Sequence, residues 1–292
     1  MNKIKGILYA ALSSSTFGLA PFFTLSLIMA GYSSFEALSY RWGFATLFLV
    51  AVGLMSRVDF KISRKDFSTI FFLSLFRATT SFSLVIAYQN IASGVASIIH
   101  FMYPLAVALT MMVFFKEPRS KTVISAIILS IIGAVFLSSG DVTGPENGDQ
   151  LLGIICACVS IFSYAGYIVG VRKTRAINVP SVALTCYVMG IGSVLFVIGG
   201  LFTGGVRIET DPHMWVYIAG LSIVATAISN MSLVRGIKLA GPTLTSILGA
   251  MEPLTAVVIG IIVFNEAFTW HSAVGVLLIL ASVLIVVLNQ RK

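Results

Sequence analysis

Apolar residues in this chain come in blocks of about twenty, the length an α-helix needs to cross roughly 30 Å of hydrocarbon. The blocks lie at about 4–28, 35–55, 67–88, 92–114, 121–138, 151–170, 182–203, 214–236, 242–264 and 271–288. They predict an all-α membrane protein of ten transmembrane helices joined by short loops. Barrel strands would be about ten residues long with alternating polarity, and these runs are longer and continuous. Composition agrees: 10% of the 292 residues are charged, against roughly 25% in soluble domains, and the mean hydropathy is +0.99. Lipid is the solvent for most of the chain, and no segment between the blocks is long enough to bury a soluble core. Lys3 and Lys5 precede an apolar run that continues through "LAPFFTLSLIMA" without a small-x-small cleavage site. That run is the first helix rather than a leader.

A net charge of +8 raises the question of nucleic acid, and its distribution answers it. With the N-terminus in the cytoplasm, sixteen of the nineteen Lys and Arg fall on the inner side. They form the groups Lys3 and Lys5; Arg57, Lys61, Arg64 and Lys65; Lys116, Arg119 and Lys121; Arg172, Lys173 and Arg175; Arg235 and Lys238; Arg291 and Lys292. Only Arg207 falls outside, and Arg41 and Arg77 lie within spans. The positive-inside rule then predicts both termini in the cytoplasm. Asp141, Glu146, Asp149, Glu209, Asp211 and Glu266 all fall outside. The basic charge therefore belongs to membrane topology, and no nucleic-acid partner is expected.

The chain repeats itself. "SIIHFMYPLAV" (97–107) aligns with "SILGAMEPLTA" (246–256) at an offset of 149, matching Ser97, Ile98, Met102, Pro104 and Leu105 to Ser246, Ile247, Met251, Pro253 and Leu254. The same offset places "FKE" (115–117) on "FNE" (264–266), and "GILYAALS" (6–13) falls on "GIICACVS" (153–160). Several matches in one order define two five-helix units, residues 1–140 and 151–292, joined by an extracytoplasmic linker at 141–150. Five passes are odd, so the second unit enters from the opposite side. Inverted repeats of this kind build secondary transporters with a site near the bilayer midplane. Pro104 and Pro253 sit at matching depth and are the expected hinges; kinks between packed helices are the competing reading.

With "SYRWGFATLFL" in helix 2, proline-centred helices 4 and 9, and "KE" and "NE" behind them, the whole chain resembles the EamA-type branch of the drug/metabolite transporter superfamily. The resemblance implies a ten-helix carrier with a central cavity and alternating access. It is specific for fold and leaves the substrate open, since relatives export amino acids, other metabolites or drugs, and related branches exchange nucleotide-sugars. This chain departs from the glycine-glutamate pattern usual after helices 4 and 9, having Lys116 and Asn265 before the acid.

Ionisable side chains at mid-membrane are costly and normally face a cavity or a partner. Arg77, His100 and Glu252 are so placed; Arg41 lies nearer the outer surface and reads as a snorkelling or packing arginine. The Arg77 guanidinium suits a substrate carboxylate, or it neutralises Glu252. His100 could titrate or simply pack. Glu252, isolated in "AMEPLTAVV", could carry a coupling proton or serve as a fixed counter-ion. Ser15, Thr16, Phe17, Tyr103, Tyr164, Tyr167 and Asn230 complete an amphipathic substrate cavity in this reading. Cys156, Cys158, Cys186, His213 and His271 build neither a disulfide framework nor a zinc set; no metal and no cofactor is expected.

No G-x-x-x-x-G-K-[ST] loop is present, so uphill transport would draw on a proton, a counter-substrate or the solute's own gradient. A polytopic membrane enzyme is the rival class. Neither H-E-x-x-H, a serine–histidine–acid set nor an aspartate-rich motif supports it. The expected activity is export of a small metabolite, an amino acid or similar amphipathic solute, across a bacterial inner membrane. Multidrug efflux or nucleotide-sugar exchange is the alternative, and oligomeric state is not legible.

Overall fold

The computed structural model describes residues 2–117, 120–137, 148–264 and 269–289. It is entirely helical there, and the ten expected rods are all present. Helix α1 comprises Asn2–Phe17 and Ala20–Met29; α2 is Ser34–Met55; α3 is Arg64–Asn90; α4 comprises Ser93–His100 and Tyr103–Phe114; α5 is Lys121–Leu137. Helix α6 is Gln150–Lys173; α7 is Ser181–Phe202; α8 is Pro212–Ala240; α9 spans 242–264; α10 is Trp270–Asn289. Among the described residues seven helices are long and apolar enough to cross a membrane by length and composition. Most of the linker, with Asp141 and Glu146, lies outside the described residues, as do Arg119, Asn265, Glu266, Arg291 and Lys292.

Short polar caps set where the rods begin. Ser33 and Glu36 form a reciprocal capping box at α2, and Ser63 and Asp66 form another at α3. Each satisfies two N–H groups that the first helical turn leaves without partners. Asp149 caps α6 through the Leu152 N–H, and Asp211 caps α8 through the His213 N–H. Gly241 alone joins α8 to α9, at φ +92°, a conformation that favours glycine. Lys116, a non-glycine residue, also adopts a left-handed conformation, φ +54°. A Lys116→Gly variant is therefore expected to stabilise the protein by about 1 kcal/mol, read as a small rise in the thermal melt of the detergent-solubilised chain. An unchanged or lowered melt would count against strain at this position.

The principal helix pairs all cross between the halves: α1 packs on α8, α3 on α6, α2 on α7 and α5 on α10. Replace every helix by its counterpart five positions along, and this set maps onto itself. The two halves are thus related by a pseudo-two-fold, as the internal repeat implies. Two tyrosines repeat the symmetry in atomic detail. Tyr187 Oη of α7 donates to the Phe60 carbonyl (2.7 Å), holding the α2–α3 loop. Tyr40 Oη of α2 donates to the Arg207 carbonyl (2.5 Å), holding the α7–α8 loop.

Polarity runs inside out. Leu8, Phe72, Phe162, Val194 and Leu201 are exposed on the rim, whereas Ser13, Ser74, Thr80, Ser160 and Asn230 are buried. Many buried hydroxyls are satisfied without water by donating to carbonyls three or four residues back, as Ser14 does to Ala10, Ser74 to Ile70 and Ser222 to Ile218. Small residues let α1 and α8 approach closely: Gly6 lies against Ala240, and Gly236 against Ala10.

Candidate functional site

Three helices are broken at mid-length, each about one turn before a proline. Proline lacks an N–H and its ring collides with the carbonyl four residues back. Helix α1 breaks at Gly18–Leu19 ahead of Pro21, and α4 at Phe101–Met102 ahead of Pro104. Helix α9 tightens to a 3-10 turn over Leu248–Ala250 ahead of Pro253. The carbonyls left without a proline donor belong to Phe17, His100 and Gly249. The backbone irregularity thus falls where the candidate side chains Phe17 and His100 emerge, with Glu252 beside the third break.

The breaks of α1, α4 and α9 meet at a cavity of about 30 Å³ lined by Gly18, Pro21, Ser97, Phe101, Glu252 and Pro253. That volume accommodates about two waters and no metabolite. Gly18 is required by the close approach of α9: a Cβ there would lie 2.6 Å from the Glu252 carbonyl oxygen and 2.8 Å from Thr255 Cβ. Backbone cannot move aside cheaply. Gly18→Ala is expected to lower stability by about 1–3 kcal/mol, and a melt equal to wild type would refute this packing.

Beside the cavity, two buried arginines share one aromatic ring. The Cζ atoms of Arg41 and Arg77 lie 5.5 and 5.4 Å from the Phe17 ring centroid, and Arg77 is 5.1 Å from that of Tyr164. Helix α8 supplies a hydrogen bond to each: Arg41 Nε donates to Thr226 Oγ1 (2.7 Å) and Arg77 Nε to Asn230 Oδ1 (2.9 Å). Arg77 Nη1 also donates to Ser81 Oγ (3.2 Å). Arg41 Nη2 is buried and has no partner. Thr226 is presented by a π-helical stretch, Gly220–Ile228, within which its hydroxyl donates to the Leu221 carbonyl five residues back. Wide turns of this kind are frequent at functional sites.

Aromatic rings close the remaining side. Tyr103 and Tyr164 meet edge to face with centroids 4.6 Å apart, and His100 lies 5.3 Å from both. His100 Nδ1 is 2.8 Å from Ser160 Oγ, whose single proton is given to the Ala157 carbonyl (2.6 Å). The serine oxygen must then accept, so Nδ1 carries the imidazole proton. Nε2 is buried and without a partner.

The structure brings Phe17, Arg77, His100, Tyr103, Tyr164 and Asn230 into one cluster, with Glu252 at its edge. Ser15 is half-buried and makes no side-chain hydrogen bond, Thr16 bonds back within its own helix, and Tyr167 Oη is buried unpaired. Two expectations are corrected. Arg41 does not snorkel: it is 4% exposed and bonded across to α8. Arg77 and Glu252 form no ion pair within 4.0 Å, since Asn230 and Ser81 occupy the donors of Arg77 that face α8 and α3. Glu252 senses Arg77 and Arg41 only through space. Sequence reasoning missed Pro21, Thr226 and Ser160. "LAPFF" carried a signal for the first; nothing in "GLSIVATAI" marks a π-turn.

Comparison with known proteins places this geometry. The model of the EamA-like transporter family matches twice, over residues 4–139 and 151–288. An uncharacterized transporter of Archaeoglobus fulgidus is 28% identical over 77% of this chain and 77% of its own length. The uncharacterized inner membrane transporter YicL of Salmonella typhimurium is 24% identical, over 79% of this chain and 76% of its own. Protein PecM of Dickeya dadantii is 25% identical over 74% and 69%. A solved crystal structure superposes with a TM-score of 0.81 across 99% of this chain and 97% of its own, at 17% identity, a likeness of fold.

Proposed function

This chain belongs to the EamA-like transporter family, and from that premise we propose that it is a secondary carrier that exports a small organic metabolite by alternating access. The matched family is one of transporters, not of enzymes, and the protein is a multi-pass membrane protein. The observation that carries the finer reading is the meeting of three proline-broken helices at a polar cluster halfway through the bundle. Discontinuous helices at that depth are how carriers expose backbone and side chains to a solute. Phe17, Arg77, His100, Tyr103, Tyr164, Asn230 and Glu252 are the proposed contacts. Pro21, Pro104 and Pro253 mark where the rods bend between closed and open forms. A pseudo-two-fold supplies two such forms by exchanging the roles of the halves, taken as residues 1–140 and 151–292 with 141–150 as linker.

The test is counterflow in liposomes. Vesicles holding the purified protein and an excess of an unlabelled solute should accumulate its labelled form. Amino acids, aromatic acids, organic cations and nucleotide-sugars make up the panel. Uptake of an intact solute from any class supports a carrier and identifies the class; a chemically altered solute, or no movement of any, would defeat the reading.

A bacterial inner-membrane location, which the Salmonella relative carries in its name, is proposed here too, with both termini cytoplasmic. Basic residues at the Lys3, Arg64 and Arg175 end of the bundle motivate the orientation. Fluorescent-protein and alkaline-phosphatase fusions at the C-terminus should be bright and inactive, respectively. The opposite pattern would overturn the ten-pass topology.

A further inference from the structure

The cluster has an imbalance of charge that names a substrate class. Two arginines, 4% and 1% exposed, sit on one phenylalanine ring. Among the described residues neither has a carboxylate within 4.0 Å, and their nearest acid is Glu252. His100 supplies no negative charge in either of its protonation states. Positive charge therefore exceeds negative charge at the centre. An uncompensated charge away from water is costly, and Arg41 Nη2 is a buried donor still without an acceptor. Every other acceptor offered to these guanidiniums, Thr226 Oγ1, Asn230 Oδ1 and Ser81 Oγ, is neutral.

Resting on the carrier reading above, we propose that the cage takes an organic carboxylate anion. This is a small organic acid whose carboxylate docks on Arg41 and Arg77 while an apolar or aromatic body lies against Phe17, Tyr103 and Tyr164. The carboxylate supplies the acceptor that Arg41 Nη2 lacks and offsets positive charge at the centre. A zwitterion leaves the excess charge in place, and an organic cation increases it. The walls are ring faces and edges, which suit a flat hydrocarbon body.

Binding is the readout, because the neutral form of a weak acid leaks through lipid unaided. The full chain in detergent is melted with 3-phenylpropionate, its neutral amide, L-phenylalanine or 2-phenylethylammonium. The acid should raise the melting temperature, with the amide and the cation inert and the zwitterion weaker than the acid. Arg41→Gln should weaken the acid about tenfold, the worth of one charged hydrogen bond. Arg41→Lys, which keeps the charge and loses the fork, should fall between. Should Arg41→Gln fail to fold, Asn230→Asp tests the same point, since a resident carboxylate should displace the acid.

Equal stabilisation by amide and acid would overturn the proposal, as would unaltered acid binding in the Arg41 and Asn230 variants. The two readings fail separately. A solute that counterflows with no preference for anions leaves the carrier standing and removes the anion site. Selective acid binding without counterflow of any solute does the reverse.

Discussion

Asn230→Asp is expected to yield a protein of about wild-type stability that transports less. The substitution keeps shape and places a carboxylate 2.9 Å from Arg77 Nε, where a neutral amide oxygen now accepts. A hydrogen bond between charged groups is worth about 1.5–3 kcal/mol against about 1 for a neutral one. Against this, the aspartate cannot replace the bond from Asn230 Nδ2 to the Thr226 carbonyl (2.8 Å). The two terms nearly cancel, so the net change is within about 1 kcal/mol of zero. Flux should fall about tenfold or more because a resident carboxylate then engages Arg77 before any solute arrives. Asn230→Leu lowers stability by about 3 kcal/mol, because it strips both bonds and leaves a buried cation less satisfied. Melting curves and counterflow on the two variants decide it. A destabilised Asn230→Asp that transports at the wild-type rate would show that Arg77 is already compensated.

Glu252→Gln should fold normally and lose most of its flux. Normal folding is expected because no cation within 4.0 Å is orphaned by the change, and the side chain borders a small cavity able to hydrate an amide. Loss of flux is expected because Glu252 is the acid nearest the arginines, beside both the α1 and α4 breaks. Removing it deletes the group best placed to exchange a proton with a solute. Wild-type flux should therefore vary with pH and the variant's should be flat. Joint replacement of Arg77 and Glu252 by glutamine distinguishes a mere counter-ion: transport by the double variant would assign Glu252 that lesser role. Full, pH-dependent flux in Glu252→Gln alone would end the functional reading.

The fold was legible because lipid leaves few options. Uninterrupted twenty-residue runs admit only helices, and the "SIIHFMYPLAV"–"SILGAMEPLTA" match already contained the pseudo-two-fold that the helix pairs display. The candidate site was legible as a set of residue types at mid-depth, and Phe17, Arg77, His100, Tyr103, Tyr164 and Asn230 do converge. Their pairing was not. Arg77 and Glu252 look like natural partners when judged by charge and depth alone. Which atoms meet depends on rotation about each helix axis, and there the π-turn Gly220–Ile228 intervenes. A wider turn advances the following residues around the axis, and it is this stretch of α8 that aims Thr226 and Asn230 at the arginines. Arg41 was misjudged for a related reason, since distance from the helix end says nothing about which way a long side chain points.

The helix pairs also bear on how such a chain is made. During synthesis α1, α2, α3 and α5 are complete before any of their main partners, α8, α7, α6 and α10, exists. The Tyr187 hydroxyl that holds the Phe60 loop is likewise translated well over a hundred residues later. The leading half must therefore wait in the bilayer as loosely associated helices, with Arg41 and Arg77 lacking the acceptors that α8 will bring. Assembly is then a late event, governed by arrival of α6 to α8 rather than by insertion order. A nascent chain stalled after α5 should remain protease-sensitive throughout, and one released after α8 should become resistant along α1 and α3 together.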